Sequence, residues 1–256
     1  MFRRGMLWIG VIAMVCALPT STAADSLKIG TSLQRPQDIY AFCANEGCVG
    51  VQRAVATGSE FLPLTSPVGG RVTSWSVRSN DDGALYALRI LKPLGGFAYA
   101  GRGTAFASST VPSGPDAILT FPTSLPIEAG DAIGLQLGPG TAGLPTQATM
   151  TGPGDTLTWA STAPDGSTTT FTGDSSPYQV LVQATVTFCK VPDVRGMKAG
   201  QATQLLAAAD CSAQVTKKRT RKRKKRGKVL SQLSAPGSTA QPGAPVTIVV
   251  GKLPKK

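Results

Sequence analysis

YQVLVQATVTFCKVPDV, residues 178–194, joins two kinds of text. In its first eleven residues Tyr178, Val180, Val182, Ala184, Val186 and Phe188 fall on one face. A period of two marks a strand with one side buried, and the spacing predicts a single strand over 178–188. From Cys189 the alternation stops and VPDV reads as a short extended segment leading elsewhere. The fold is decided at this seam.

Upstream of it the same period recurs. ALYALRI (84–90) sets Ala84, Tyr86, Leu88 and Ile90 together, and DAIGLQLG (131–138) sets Ile133, Leu135 and Leu137 together. RVTSWSV (71–77) places Thr73, Trp75 and Val77 on one side. Turn-forming clusters such as PVGG, NDDG, PLGG, IEAGD and APDG punctuate these runs. No amphipathic helical pattern of useful length occurs between 25 and 189. The expectation is a mainly β protein, with an antiparallel, jelly-roll-like β-sandwich over residues 24–188.

Downstream, Ala202, Leu205, Leu206 and Ala209 recur at helical spacing, predicting a helix over Ala199 to Ala209. SAQVT (212–216) and PVTIVVG (245–251) read as strands, SAPGS and QPGAP as turns. This predicts a small β-α-β-β domain of α+β type over residues 189–252, with 253–256 as a tail. Between its elements lies KKRTRKRKKRGK, residues 217–228, in which ten of twelve side chains are cationic and none anionic. The charge of the chain divides at the same seam. Residues 24–189 carry 8 basic and 12 acidic side chains, residues 190–256 carry 16 and 2.

The first residues, MFRRGMLWIGVIAMVCALPTSTAAD, have the layout of a secretory signal peptide over 1–23: a short basic start, an apolar core and small residues before a cut. Export implies a protein that is secreted, extracellular or cell-wall associated, with no transmembrane segment after cleavage. It also implies an oxidising compartment. Cys43, Cys48, Cys189 and Cys211 remain after cleavage and allow three pairings. Cys43–Cys48 and Cys189–Cys211 are favoured, because each pair then lies within one folded unit. The chain has no histidine, which removes the usual zinc sites, Ser-His-Asp triads and Cys-His dyads. No metal or cofactor is expected.

Val191-Pro192-Asp193-Val194, Gly196, Ala202, Leu206, Gly227, Val229, Gln232, Pro236, Gly243 and Val246 to Val250 together resemble the PASTA domain, over residues 189–252. The resemblance implies a β-α-β-β module outside a bacterial membrane, associated with peptidoglycan or its fragments. Two features depart from that pattern. Ala209-Asp210-Cys211 stands where the family has Ala-Gly after the helix, and the basic run is unusually dense. SPVGGRVTSWSVRS, ALYALRILKP and PIEAGDAIGLQL resemble a β-sandwich of secreted actinobacterial proteins of unassigned function, which implies architecture only.

These readings give a non-catalytic envelope protein whose basic run contacts peptidoglycan or another anionic wall polymer. The contacting residues would be Lys217, Lys218, Arg219, Arg221, Lys222, Arg223, Lys224, Lys225, Arg226 and Lys228. No aromatic side chain interleaves them, so specific nucleic-acid binding through base stacking has no platform. A carbohydrate-binding sandwich is the alternative, with Trp159 and Tyr99 as the sugar-stacking candidates and Trp75 and Tyr178 assigned to the core. A glycan-active enzyme would need carboxylates from Asp81, Asp82, Asp116, Glu128, Asp131, Asp155, Asp165 or Asp174, almost all of them in turn contexts.

Overall fold

The computed structural model describes residues 25–34, 39–41, 47–54, 62–79, 84–108, 116–140, 144–148, 156–175 and 178–254. The leader expected over 1–23 lies outside them, as do Cys43, Asp81, Asp82 and Asp155. The expected Cys43–Cys48 bridge therefore lies partly outside the described residues.

Before Cys189 the chain forms β1 (Ser26–Gly30), β2 (Ile39–Ala41), β3 (Val49–Ala54), β4 (Gly70–Ser79), β5 (Tyr86–Gly95), β6 (Ala98–Phe106) and β7 (Ala117–Ile127). These are followed by β8 (Ala132–Leu137), β9 (Leu144–Ala148), β10 (Thr156–Ala160), β11 (Thr168–Thr170), β12 (Thr172–Ser175), β13 (Tyr178–Val180) and β14 (Val182–Thr187). A four-stranded sheet runs β1-β14-β4-β7 and a seven-stranded sheet β11-β6-β5-β8-β3-β10-β12. Their pairings are antiparallel. Take β1, β3 to β8 and β14 as the eight strands of the body. Their chain ranks are then 1-8-3-6 in one sheet and 5-4-7-2 in the other. That is a jelly-roll order, in which most successive strands cross between sheets.

One hydrophobic cluster fills the space between the sheets. Val72, Trp75 and Val77 of β4 and Phe121 of β7 meet Tyr86, Leu88 and Ile90 of β5 and Ile133, Leu135 and Leu137 of β8. The Trp75 and Phe121 rings lie 4.8 Å apart. Burying each such side chain contributes about 1.5–3 kcal/mol. A second cluster covers the outer face of the seven-stranded sheet. Val49, Val51, Leu91 and Tyr99 there pack under Ala160, Ala163 and Phe171. Gly101 is required beneath that cover, because a Cβ at this position would strike the Pro164 carbonyl.

Two local expectations change. The stretch 178–188 is two strands, not one. β13 pairs with β9 in a separate three-stranded sheet, while β14 pairs with β1 and β4. The switch is at Leu181, which donates to Pro145 O (3.0 Å), accepts from Arg78 N (3.3 Å) and is itself fully buried. In β4 the register shifts between Val72 and Ser74. That bulge turns Val72, rather than Thr73, into the core beside Trp75.

After a single intervening residue the chain continues into β15 (Cys189–Lys190), α1 (Ala199–Ala208), β16 (Ser212–Arg219), β17 (Val229–Gln232), β18 (Thr239–Ala240) and β19 (Pro245–Lys252). β16 lies parallel to the central β19, β17 antiparallel to it, and β15 pairs with β18. Ala202 and Leu206 of α1 pack with Val194, Val229, Val246, Ile248 and Val250 in a third cluster. Cys189 and Cys211 form the expected disulfide, tying β15 to the end of the helix. The departure at Asp210 has a geometric reading. Its φ of 54° is the left-handed conformation that ends a helix, which aspartate tolerates better than most residues. This unit meets the sandwich where Gln241 Nε2 donates to Ile127 O (3.1 Å).

Candidate functional site

The basic run is built into this second unit, not draped over it. Lys217, Lys218 and Arg219 are the last residues of β16, in register with Val250, Gly251 and Lys252. Thr220 N then donates to Lys252 O (3.0 Å), and Arg223–Lys225 make one turn of 3₁₀ helix in which Lys225 N donates to Lys222 O (2.9 Å). The chain returns through Gly227, whose N donates to Gly251 O (2.8 Å) and whose carbonyl accepts from Ala199 N (3.0 Å). Gly251 N in turn donates to Lys228 O (3.0 Å). Gly251 also lets the turn come close, since a Cβ there would meet the Lys225 carbonyl oxygen.

All ten cationic side chains of the run are exposed. Alternation along β16 puts Lys217 and Arg219 on one face and Lys218 on the other. Strand pairing adds two cations from outside the run. Lys252 lies beside Arg219 and Lys198 beside Lys228, and both are exposed. Among the described residues no carboxylate forms an ion pair with any of the twelve. Asp193 is engaged instead by Arg195, 2.6 Å away, whose guanidinium holds it at a pKa of about 2. The result is a cationic end on a fixed backbone. Like charges so close repel, and a polyanion that approaches relieves that repulsion. Sequence reasoning missed Lys198 and Lys252 because only the register brings them in.

Of the carboxylates considered for catalysis, four have described side-chain contacts, and each is engaged within the sandwich. Asp116 accepts from Arg78 Nε at 2.7 Å. Glu128 pairs with Arg102 at 2.8 Å. Asp131 is buried, accepts from Glu128 N at 2.9 Å and faces Arg102 Nε at 3.4 Å, which fits a turn-capping role. Desolvation raises the Asp131 pKa, with the Glu128 N–H and Arg102 opposing that rise. Asp165 accepts from Arg89 Nη2 at 2.8 Å and from Thr104 Oγ1 at 3.1 Å. Among the described residues no three His, Cys, Asp or Glu side chains cluster as a metal site.

All four aromatic candidates pack in or against the sandwich's clusters. Tyr99 is 6 % exposed, and its ring sits edge-on to Phe171 at 4.8 Å. A ring in that cluster offers no face to a sugar, so the sequence had placed a core residue on the surface. Trp159 is half-buried and packs against the inter-sheet cluster, as does Tyr178. Among the described residues the most exposed aromatic ring is Phe106, at 73 %, which the sequence did not signal.

A family model for the PASTA domain matches residues 190–252. PASTA domains are non-catalytic binding modules that occur in extracellular, cell-wall-related proteins and bind peptidoglycan-like ligands. No curated protein and no solved structure matches the chain. Among the described residues no helix is long and apolar enough to cross a membrane.

Proposed function

We propose that this is an exported, non-catalytic protein of the cell envelope. In this reading residues 24–188 and 189–252 are two domains, and the cationic end of the second binds peptidoglycan or another anionic wall polymer. One observation carries the reading. Ten consecutive-run cations are exposed, and none of them is paired with a described carboxylate. They stand on hydrogen-bonded backbone in the segment that matches the PASTA model. A solvating tail needs no such backbone. The charge-relieving partner is a polymer, because the cations spread over a strand end, a turn, the neighbouring strand β19 and the start of the helix.

The test is co-sedimentation of the chain from residue 24 onward with purified sacculi across a salt series. Retention at low salt should fall linearly when log affinity is plotted against log salt, as counterion release requires. A variant with the cations of 217–226 changed to Gln and Ser should lose both the retention and most of the slope. Equal retention of that variant, or no retention of the parent at low salt, would overturn the proposal.

A further inference from the structure

We propose that a hollow at one end of the sandwich binds a small neutral saccharide. The hollow measures about 310 Å³, the low end of the range for small-molecule sites. It opens on the outer face of the seven-stranded sheet. There Phe106 of β6, Ala87 of β5 and Gln136 of β8 stand in one cross-strand row. The small Ala87 makes a floor between a flat ring and an amide. Leu85, 53 % exposed, and Pro139 extend the wall. Among the described residues no charged side chain lines it, so a neutral ligand is the chemical match.

What distinguishes this hollow from an apolar dent is how Gln136 is held. Arg89, one pleat along β5 from Ala87, is 6 % exposed. Its Nη1 donates to Gln136 Oε1 at 3.1 Å. Its Nη2 donates to Asp165 Oδ1 at 2.8 Å and to the Ala163 carbonyl. Thr104 Oγ1 anchors the Asp165 carboxylate from below. This relay fixes which branch of the amide accepts, so Nε2 is left to donate, and among the described residues nothing accepts from it. A pyranose ring meets both demands, with a C–H face for the Phe106 ring and hydroxyl oxygens for the Gln136 Nε2 donors. An alkyl chain would fill the wall and leave the amide unused.

The site is separate from the cationic end, and its test is chosen to be separate too. The trisaccharides of glucose and of N-acetylglucosamine, and 1-hexanol as an alkyl probe, are titrated into the isotope-labelled chain from residue 24 onward. Amide and side-chain shifts are followed by NMR. At least one trisaccharide should shift Phe106, Gln136 and Leu85 with millimolar affinity. Added salt, or neutralising 217–226, should leave that affinity unchanged. Phe106→Leu keeps apolar bulk and loses the flat face, and should abolish the shifts. Gln136→Glu keeps an acceptor for Arg89 and deletes the donors, and should weaken binding about tenfold. No site shift from either trisaccharide at tens of millimolar would overturn the assignment. So would binding unaffected by both variants, or hexanol binding at this site in preference to sugar.

Discussion

At the scale of single residues, three positions put the account at risk. Gly251 is the contact point between β19 and the basic turn. Gly251→Ala should cost about 1–3 kcal/mol, the usual penalty of an added methyl with no room, read from denaturant unfolding. The same variant should weaken polyanion binding, because the cations would no longer be held together. Asp210 holds φ 54°, which Asp tolerates and Gly adopts freely, so Asp210→Gly should raise stability by less than about 1 kcal/mol in thermal unfolding. Asp193 carries the pH signature. Its folded pKa, about 2, lies below the ordinary value of 3.8, so the ion pair with Arg195 stabilises fully above that ordinary value. The contribution fades as pH falls from there toward 2. A carboxyl-carbon titration should show this midpoint, and Arg195→Gln should raise it toward the ordinary value while the backbone N–H of residue 195 still holds it below.

At the scale of elements, periodicity reports a strand well where one face is buried. It misleads where the chain changes sheets. β5 and β8 read correctly because Leu88 and Ile90, Leu135 and Leu137 face the inter-sheet cluster. The strand over 178–188 reads as continuous because its inward residues keep step across Leu181. The sign of the break is the run Val180-Leu181-Val182, three apolar residues with no polar one between. At Thr73 the bulge changes step without any mark in the local text. Tyr99 failed for a related reason. Its outer sheet face is covered by 160–171, a segment far away in sequence, which makes both faces of the strand interior. Phe106 and Gln136 were silent because a row across β6, β5 and β8 exists only in register. The helix and the strands of the second unit were legible because family motif and periodicity agree. The Cys189–Cys211 bridge closes 22 residues of that unit. Replacing both cysteines by Ala should cost about 3 kcal/mol in its unfolding transition.

At the scale of the molecule, the joint between the two units is short. β14 ends at Thr187 and β15 begins at Cys189. Phe188 between them donates to Asp25 O, and Gln241 reaches Ile127 O. A joint of that length predicts motion as one body. Amide ¹⁵N relaxation should give both units a single correlation time, and six Gly/Ser residues inserted before Cys189 should split it into two. Insertion should leave sacculus retention intact, since the cations and their backbone all lie beyond the joint.

The strand directions add a consequence. Ile127 ends β7 beside the second unit, and a short turn sends β8 away from it. Gln136 and Leu137 therefore finish β8 at the opposite pole, about 20 Å off by strand rise. A polymer gripped at one pole and a sugar met at the other would be kept apart by a spacer of constant length. Such a molecule acts as a bracket: it tethers one partner while presenting the other outward, and the two partners cannot compete for the same ground.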